Sequence, residues 1–294
     1  SRGARGDSYN LFLSYEKDGL VGWGEAAPSK NGKAETVEKM QHQLNTFLEQ
    51  GIESCTTELL NQKAKQMGIS PCAYVALDIA LWDWKAKKAK LPLYQLLQLP
   101  RPFVPTSLTL GIIPADQVKE RIHHMFENYS AKALKIKLGS PQGIEADQQM
   151  FAKVLECTEK FQLKIRVDAN GGWSTQDAIY MIKWLADRGV EYIEQPLEQG
   201  QESELQYLYP KSPLPIYIDE SCRSAADVGK WADYIDGVNI KLMKCGGITE
   251  ALLIIQKAQK YKLKTMIGCM SESSVSIAAA AALSGGIDHI DLDS

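Results

Sequence analysis

The sequence lacks most of the features that assign a chain to a class at a glance. Its six cysteines, at 55, 72, 157, 222, 245 and 269, never stand in CxxC spacing, so neither a zinc site nor a disulfide framework is suggested, and reduced, mostly buried thiols are expected. No apolar run approaches the roughly 20 residues that span a bilayer. No basic and apolar leader opens the chain, so no membrane partner is expected and the reading is cytoplasmic. Lysine and arginine form no dense run, and 33 basic against 36 acidic residues leave a formal net charge of -3, which gives no electrostatic footprint for nucleic acid. His123, His124 and His289 lack metal spacing. An initiating methionine is absent and the chain stops at Ser294 directly after a strand-like segment, so both ends are expected to be cut short.

What is present is an ordinary globular composition. With 294 residues, 45% hydrophobic and 23% charged, the chain has enough material for one large core, or a large core and a smaller module. Residues 9–15 (YNLFLSY) and 20–25 (LVGWGE) read as a hairpin turned by Lys17-Asp18-Gly19, because Asp-Gly is a strong short hairpin signal. Helical periodicity follows over 36–50, 55–67 and 72–90. Trp82 and Trp84 on the last of these read as packing residues, and Glu25 as one that orders a loop. Pro100, Pro102 and Pro105 then punctuate the chain as a domain boundary does, closing an α+β module of residues 1–103.

Beyond the prolines the pattern changes to short apolar strands alternating with helices. The strands are expected at 104–111, 133–139, 164–170, 191–196, 216–221, 237–247, 264–273 and 289–294, with helices such as 143–160 and 248–262 between them. Alternating βα units argue for a parallel sheet, eight of them argue for a closed barrel, and no GxGxxG turn follows any strand to support a dinucleotide fold. The second domain is therefore expected to be a barrel over 104–294.

Such a barrel carries its chemistry at the C-terminal strand ends, where charged residues recur here. Lys135 and Lys137 lie on the second strand, Asp168 and Asn170 on the third, and Glu194 on the fourth. Asp219 and Glu220 lie on the fifth, Lys241 on the sixth, and Asp291 and Asp293 on the eighth. Asp168, Glu194 and Asp219 come from consecutive strands and would repel one another severely without a cation. An all-oxygen carboxylate set favours Mg²⁺; the alternative is a salt-bridge network with the lysines. Lys137 and Lys241 lie on strands opposed across an eight-stranded ring, which makes a two-base site. A lysine base must lose its proton, and its free pKa near ~10.4 forbids that at neutral pH. Lys135 shares a strand face with Lys137, and a second ammonium within about 6 Å, together with desolvation, moves the pKa toward ~7–8. Lys135 is read as the perturber of Lys137 and as a donor to the substrate carboxylate, the alternative being a pair stabilised only by the three carboxylates.

The segments KIK (135–137), RVDAN (166–170), IEQP (193–196), IDES (218–221), NIKLMKCGGI (239–248) and DLD (291–293), in this order and spacing, resemble the enolase superfamily, specifically its muconate-lactonizing-enzyme branch. The resemblance runs from about Arg2 to Asp293. It implies a modified TIM barrel, (β/α)7β, under an N-terminal α+β capping domain. It also implies one Mg²⁺ per subunit on Asp168, Glu194 and Asp219, an enediolate intermediate, and Lys137 and Lys241 as bases. Within the branch, DLD and TSLTLG (106–111) resemble the dipeptide epimerases. That likeness implies epimerization at the α-carbon of the C-terminal residue of a dipeptide, with Asp291 and Asp293 on the substrate ammonium and Thr109 and Asn170 beside the substrate. Ser271 and Met270 would lie near the substrate backbone, and Arg2 or Arg5 would meet an acidic side chain. The branch's lactonizing, o-succinylbenzoate-forming and N-acylamino-acid-racemizing members use substrates without that ammonium, for which two buried carboxylates would be a cost without return. A degenerate barrel acting as a binding module is the non-enzymatic alternative, disfavoured because all three ligands and both lysines are present. A homo-oligomer is compatible with this reading. Family members carry a further cap strand before SRGAR and a tail after the DxD, neither present in this sequence.

Overall fold

The computed structural model describes residues 7–28, 35–52 and 55–293. Asp18 and Gly19 both take positive φ (54° and 72°), as the tight Asp-Gly turn requires, and fold β1 (Leu11–Lys17) antiparallel onto β2 (Leu20–Ala26) with Lys17 opposite Leu20. Three helices complete the cap: α1 (Val37–Leu48) and α2 (Thr57–Gln66), each begun by a threonine whose side chain accepts a backbone N–H (Thr36 and Thr56), and α3 (Pro71–Ala89), begun by a proline. Proline suits the first helical turn because its missing N–H would be unpaired there anyway. The GWG of β2 lies directly on α3. A Cβ at Gly24 would stand 1.8 Å from the Ala76 carbonyl oxygen, and one at Gly22 would stand 2.1 Å from that of Ala80. Glycine on the strand and alanine on the helix are what let the two backbones meet. Trp84 packs edge-on against Tyr15 and donates to Lys17 O, while Trp82 donates to Thr249 Oγ1 in the barrel, so both tryptophans pack.

After the single turn α4 (Leu93–Leu96) the chain enters a parallel eight-stranded sheet whose order follows the sequence from β3 to β10. The strands are β3 (Leu108–Leu110), β4 (Ala133–Lys137), β5 (Lys164–Asp168), β6 (Val190–Glu194), β7 (Ile216–Ile218), β8 (Gly237–Lys241), β9 (Lys264–Gly268) and β10 (His289–Asp291). The helices between them are α5 (Val118–Asn128), α6 (Ile144–Thr158), α7 (Thr175–Ala186), α8 (Leu205–Leu208), α9 (Ala225–Trp231), the one-turn α10 (Leu242–Cys245), α11 (Ile248–Lys260) and α12 (Ser274–Leu283). Alternate strand residues such as Leu134, Ile136, Ile165, Val167, Val238 and Ile240 are buried in the main core, which explains the near-continuous apolar runs. At the end of the barrel away from the site, Tyr192, Tyr217 and Met266 pack together with Arg166 and His289, the two tyrosine rings 4.4 Å apart. Burial and the Arg166 guanidinium push His289 down to about 4, so it is neutral and structural.

All eight strands are shorter than expected: the fifth stops at Ile218 rather than 221 and the seventh at Gly268 rather than 273, and three others show why. The first strand is Leu108–Leu110 rather than 104–111, since Pro105 has no N–H to give a ladder. The last is His289–Asp291 rather than 289–294. Beyond it the seam to β3 is closed by side chains as well as backbone: Ser107 N donates to Ile290 O at 2.9 Å, Leu292 N to Thr106 Oγ1 at 2.8 Å, and Thr109 N to Asp293 Oδ2 at 2.6 Å. The sixth strand ends at Lys241, and residues 242–245 turn into α10, stopped by Gly246 and Gly247 at φ 99° and 122°. Among the described residues no helix is long and apolar enough to cross a membrane.

Candidate active site

The strand register sets the charged groups in rows. Lys137 stands beside Asp168, Asp168 beside Glu194, and two residues deeper Thr109 stands beside Lys135. On the other wall Lys241 and Asp291 flank Gly268, where a Cβ would crowd Lys241 Cε at 3.0 Å; the glycine leaves room for the lysine. These rows open into a cleft of about 750 Å³ between barrel mouth and cap. Lys135, Lys137 and Lys241 line it, as do Asn170, Thr109, Met270, Ser271, Asp291 and Asp293.

Lys135 is fully buried and forms the floor. Its ammonium meets Asp291 Oδ2 on β10, Glu194 Oε2 at 3.1 Å on β6 and Asp168 Oδ2 at 3.7 Å on β5. Burial works against its charge, but Asp291, Glu194 and Asp168 outweigh it and hold the group well above the ordinary lysine range. Lys137 is only half-buried, with Asp168 Oδ2 and Asn170 Oδ1 both at 3.4 Å. Asn170, at φ 50°, also donates its backbone N–H to Asp168 Oδ1 at 2.9 Å. Across the cleft Lys241 donates to Asp219 Oδ2 at 2.7 Å; burial opposes its charge too, and Asp219 raises its pKa in spite of that. Asp291 accepts from Ser107 Oγ at 2.6 Å and Thr109 Oγ1 at 3.0 Å besides Lys135. Asp293 faces the same cleft without a lysine, and burial together with Asp291 raises its pKa.

The three carboxylates, Asp168 and Glu194 at the ends of β5 and β6 and Asp219 directly after β7, are all buried. Among the described residues no three His, Cys, Asp or Glu side chains converge as a metal cage as they stand, since each of these carboxylates leans toward a lysine. Their electrostatics are uneven: burial opposes all three charges, yet Lys137 and Lys135 hold Asp168 below the ordinary carboxylate range, and Lys241 and Lys244 do the same for Asp219. Burial and the neighbouring Asp168 push Glu194 up to about 7, and burial and Asp219 push Glu220 up to about 7. Asp219 Oδ1 and Glu220 Oε2 are buried and accept no hydrogen bond, Asp219 Oδ1 meeting Lys244 Nζ only as an ion pair at 2.5 Å. A hard divalent cation suits such a set of oxygens.

Four residues around this set were given no role in the sequence reading, although three of them stand in the quoted segments IEQP and NIKLMKCGGI. Gln195 sits at φ 41° behind Glu194 and accepts Asp219 N at 2.8 Å and Ser221 N at 3.3 Å. Lys244, on α10, donates to the carbonyls of Asp219, Cys222 and Asn239, so the Asp219 residue is held by its N–H from one side and its C=O from the other. Asn239 donates to Glu194 Oε1 at 2.6 Å; its spacing of two from Lys241 was the available signal, because that spacing shares a strand face. Asp147 accepts from Gly139 N, Ser140 N and Trp173 Nε1 and so ties the loop after β4 to the loop after β5. Arg2 and Arg5 lie outside the described residues.

Residues 1–98 match the family described as mandelate racemase / muconate lactonizing enzyme, N-terminal domain, and residues 117–292 match the enolase C-terminal domain-like family. A protein called hydrophobic dipeptide epimerase from Flavobacteria bacterium (strain MS024-2A) is 58% identical over all of this chain and 84% of its own length. One of the same description from Roseobacter litoralis is 51% identical over all of this chain and 85% of its own. The crystal structure of a dipeptide epimerase from Enterococcus faecalis, complexed with Mg and the dipeptide L-Leu-L-Tyr, superposes with a TM-score of 0.86 at 35% identity, covering 97% of this chain and 82% of that one.

Proposed function

The chain belongs to the enolase superfamily, and with that as premise we propose how it acts: this protein is a Mg²⁺-dependent dipeptide epimerase, and it inverts the α-carbon of the C-terminal residue with two lysine bases. The observation that carries the two-base reading is that Lys137 and Lys241, on strands four places apart in the eight-stranded order, line one cleft. A substrate α-carbon held between them is reached from both faces. One lysine, as the amine, takes the α-proton, and the other, as the ammonium, returns a proton to the opposite face. The lysines exchange protonation states in each turnover and exchange roles in the reverse direction.

Asp168, Glu194 and Asp219 would hold the Mg²⁺, one per chain, as their buried oxygens suit it. Bound there, the ion supplies positive charge against the negative charge that develops on the substrate carboxylate. Lys135 adds a fixed ammonium beneath the same carboxylate. Asp293, with Asp291 behind it, takes the substrate ammonium, and Thr109 orders both carboxylates. Asn170 steadies Lys137, and Met270 and Ser271 wall the substrate. An ammonium site favours a dipeptide over the N-acyl substrates of related enzymes. Tyr9, Pro28, Val37 and Met270 give the cleft apolar surface, which fits the apolar dipeptides implied by the names of the two similar relatives. The cap ends and the barrel begins at 103/104, between the two family-matched segments, and six cysteines without CxxC spacing fit a cytoplasmic location.

The test is α-proton exchange in heavy water with Mg²⁺ across a library of dipeptides and N-succinyl amino acids. Exchange on apolar dipeptides is expected. Exchange on N-succinyl amino acids alone would make the protein a racemase of acylated substrates instead.

A further inference from the structure

The wall of the cleft contributed by the loop after β9 is held from the other domain. Glu25, on β2 of the cap, is fully buried and its carboxylate accepts four hydrogen bonds. Oε1 receives Ser273 N at 2.8 Å and Asn10 Nδ2 at 2.6 Å, and Oε2 receives Ser273 Oγ at 2.7 Å and Ser276 N at 3.1 Å. Two of these donors are backbone groups at the start of α12, so a cap residue satisfies the free N–H groups of a barrel helix. Asn10 extends the chain of bonds into the cleft. Its amide nitrogen donates both to Glu25 and to Ser271 O at 3.0 Å, and its amide oxygen accepts from Ser8 Oγ at 3.0 Å, which fixes the orientation of the amide. Asn10, Ser8, Ser271 and Met270 all line the cleft.

We propose that Glu25 and Asn10 form a clamp that sets the cap hairpin against the Met270–Ser271 segment and thereby fixes the substrate-facing wall of the cleft. They are positioning residues, acting on substrate binding and not on proton transfer. The chemistry supports this division. Among the described residues neither side chain hydrogen-bonds Lys137 or Lys241, whereas the bonds of the clamp join Ser8, Asn10 and Glu25 to Ser271, Ser273 and Ser276. A carboxylate is needed because all four of its partners are donors. In Glu25→Gln an amide NH₂ would oppose at least one of them, leaving a buried donor unpaired.

The inference rests on the dipeptide-epimerase reading for its kinetic arm, so a substrate-free arm accompanies it. In Glu25→Gln and in Asn10→Ala, KM for an apolar dipeptide should rise about tenfold while kcat stays within about threefold. The double variant should be no worse than the worse single variant, because both cut one connection. Without substrate, amide hydrogen exchange over 269–273 should speed up in both variants. Asn10→Ala leaves the bonds from Glu25 to α12 intact and carries the test alone should Glu25→Gln not fold. A fall in kcat at unchanged KM, multiplicative effects in the double variant, or unchanged exchange over 269–273 in Asn10→Ala would overturn the clamp. Absence of turnover in the unmodified protein, with faster exchange in the variants, would instead reject the substrate reading and leave the clamp standing.

Discussion

Lys244 shows how a buried charge becomes structural. Its side chain is 2% exposed and its ammonium serves three carbonyls and one carboxylate, so removing it takes a donor from all four acceptors at once. Lys244→Met should lower stability to unfolding by about 3–5 kcal/mol, the range for breaking a buried pair by deleting one partner. Urea denaturation measures it, and a loss under about 1 kcal/mol would mean that water replaces the ammonium. Legibility at this scale followed strand geometry. The charged groups standing at strand ends were readable because a strand end in a βα barrel faces the mouth. Lys244 was not, because reading 237–247 as one strand hid the turn of helix that swings it beneath Asp219. Gln195 was hidden for a similar reason: its left-handed φ aims the side chain back at the β7 end, and no local pattern announces that conformation.

Whole elements were legible where periodicity ran long, as in α3, α6 and α11, and at the sharp Asp-Gly turn. They were misjudged where tertiary contacts end an element: β3 is shortened by a proline and β10 by the hand-over from backbone ladder to aspartate side chains. The β2–α3 contact allows a direct test. Gly24→Ala places a methyl group 1.8 Å from a backbone oxygen, which must push strand from helix, and a loss of about 3 kcal/mol, the upper end of the usual cost of overpacking, is expected; thermal unfolding within a degree of the parent would contradict the packing. The α3–α11 contact supplies a pH test. Asp78 is fully buried and burial pushes its carboxyl up to about 6, although Thr249 N and Oγ1 donate to it. Its folded pKa exceeds the model-peptide value of 3.8, so the folded state binds this proton more tightly than the unfolded chain does. Stability from Asp78 is therefore greatest below about pH 4 and declines as pH rises through about 6, by about 3 kcal/mol for a shift of ~2 units. Asp78→Asn should flatten that part of the stability profile between pH 4 and 7 in urea melts. An identical slope in both proteins would show that Asp78 ionises freely in the folded state.

Across the whole molecule, carboxylates and lysines gathered on both sides of one cleft make a site whose oxygens suit a cation. Mg²⁺ at about 100 times its Kd should stabilise the protein by ~2.7 kcal/mol, and Asp219→Asn should remove most of that gain because one anionic ligand becomes neutral. Equal gains in both proteins would take Asp219 out of the metal site. The central claim is that Lys137 and Lys241 serve opposite faces of one α-carbon, and it is tested most directly by proton NMR in heavy water with each enantiomer of an apolar dipeptide and Mg²⁺. Lys241→Ala should abolish epimerization in both directions yet retain α-proton exchange on the single enantiomer that faces Lys137, and Lys137→Ala should show the mirror pattern. Exchange on both enantiomers in either variant would contradict the two-base site and leave a one-base reaction in its place.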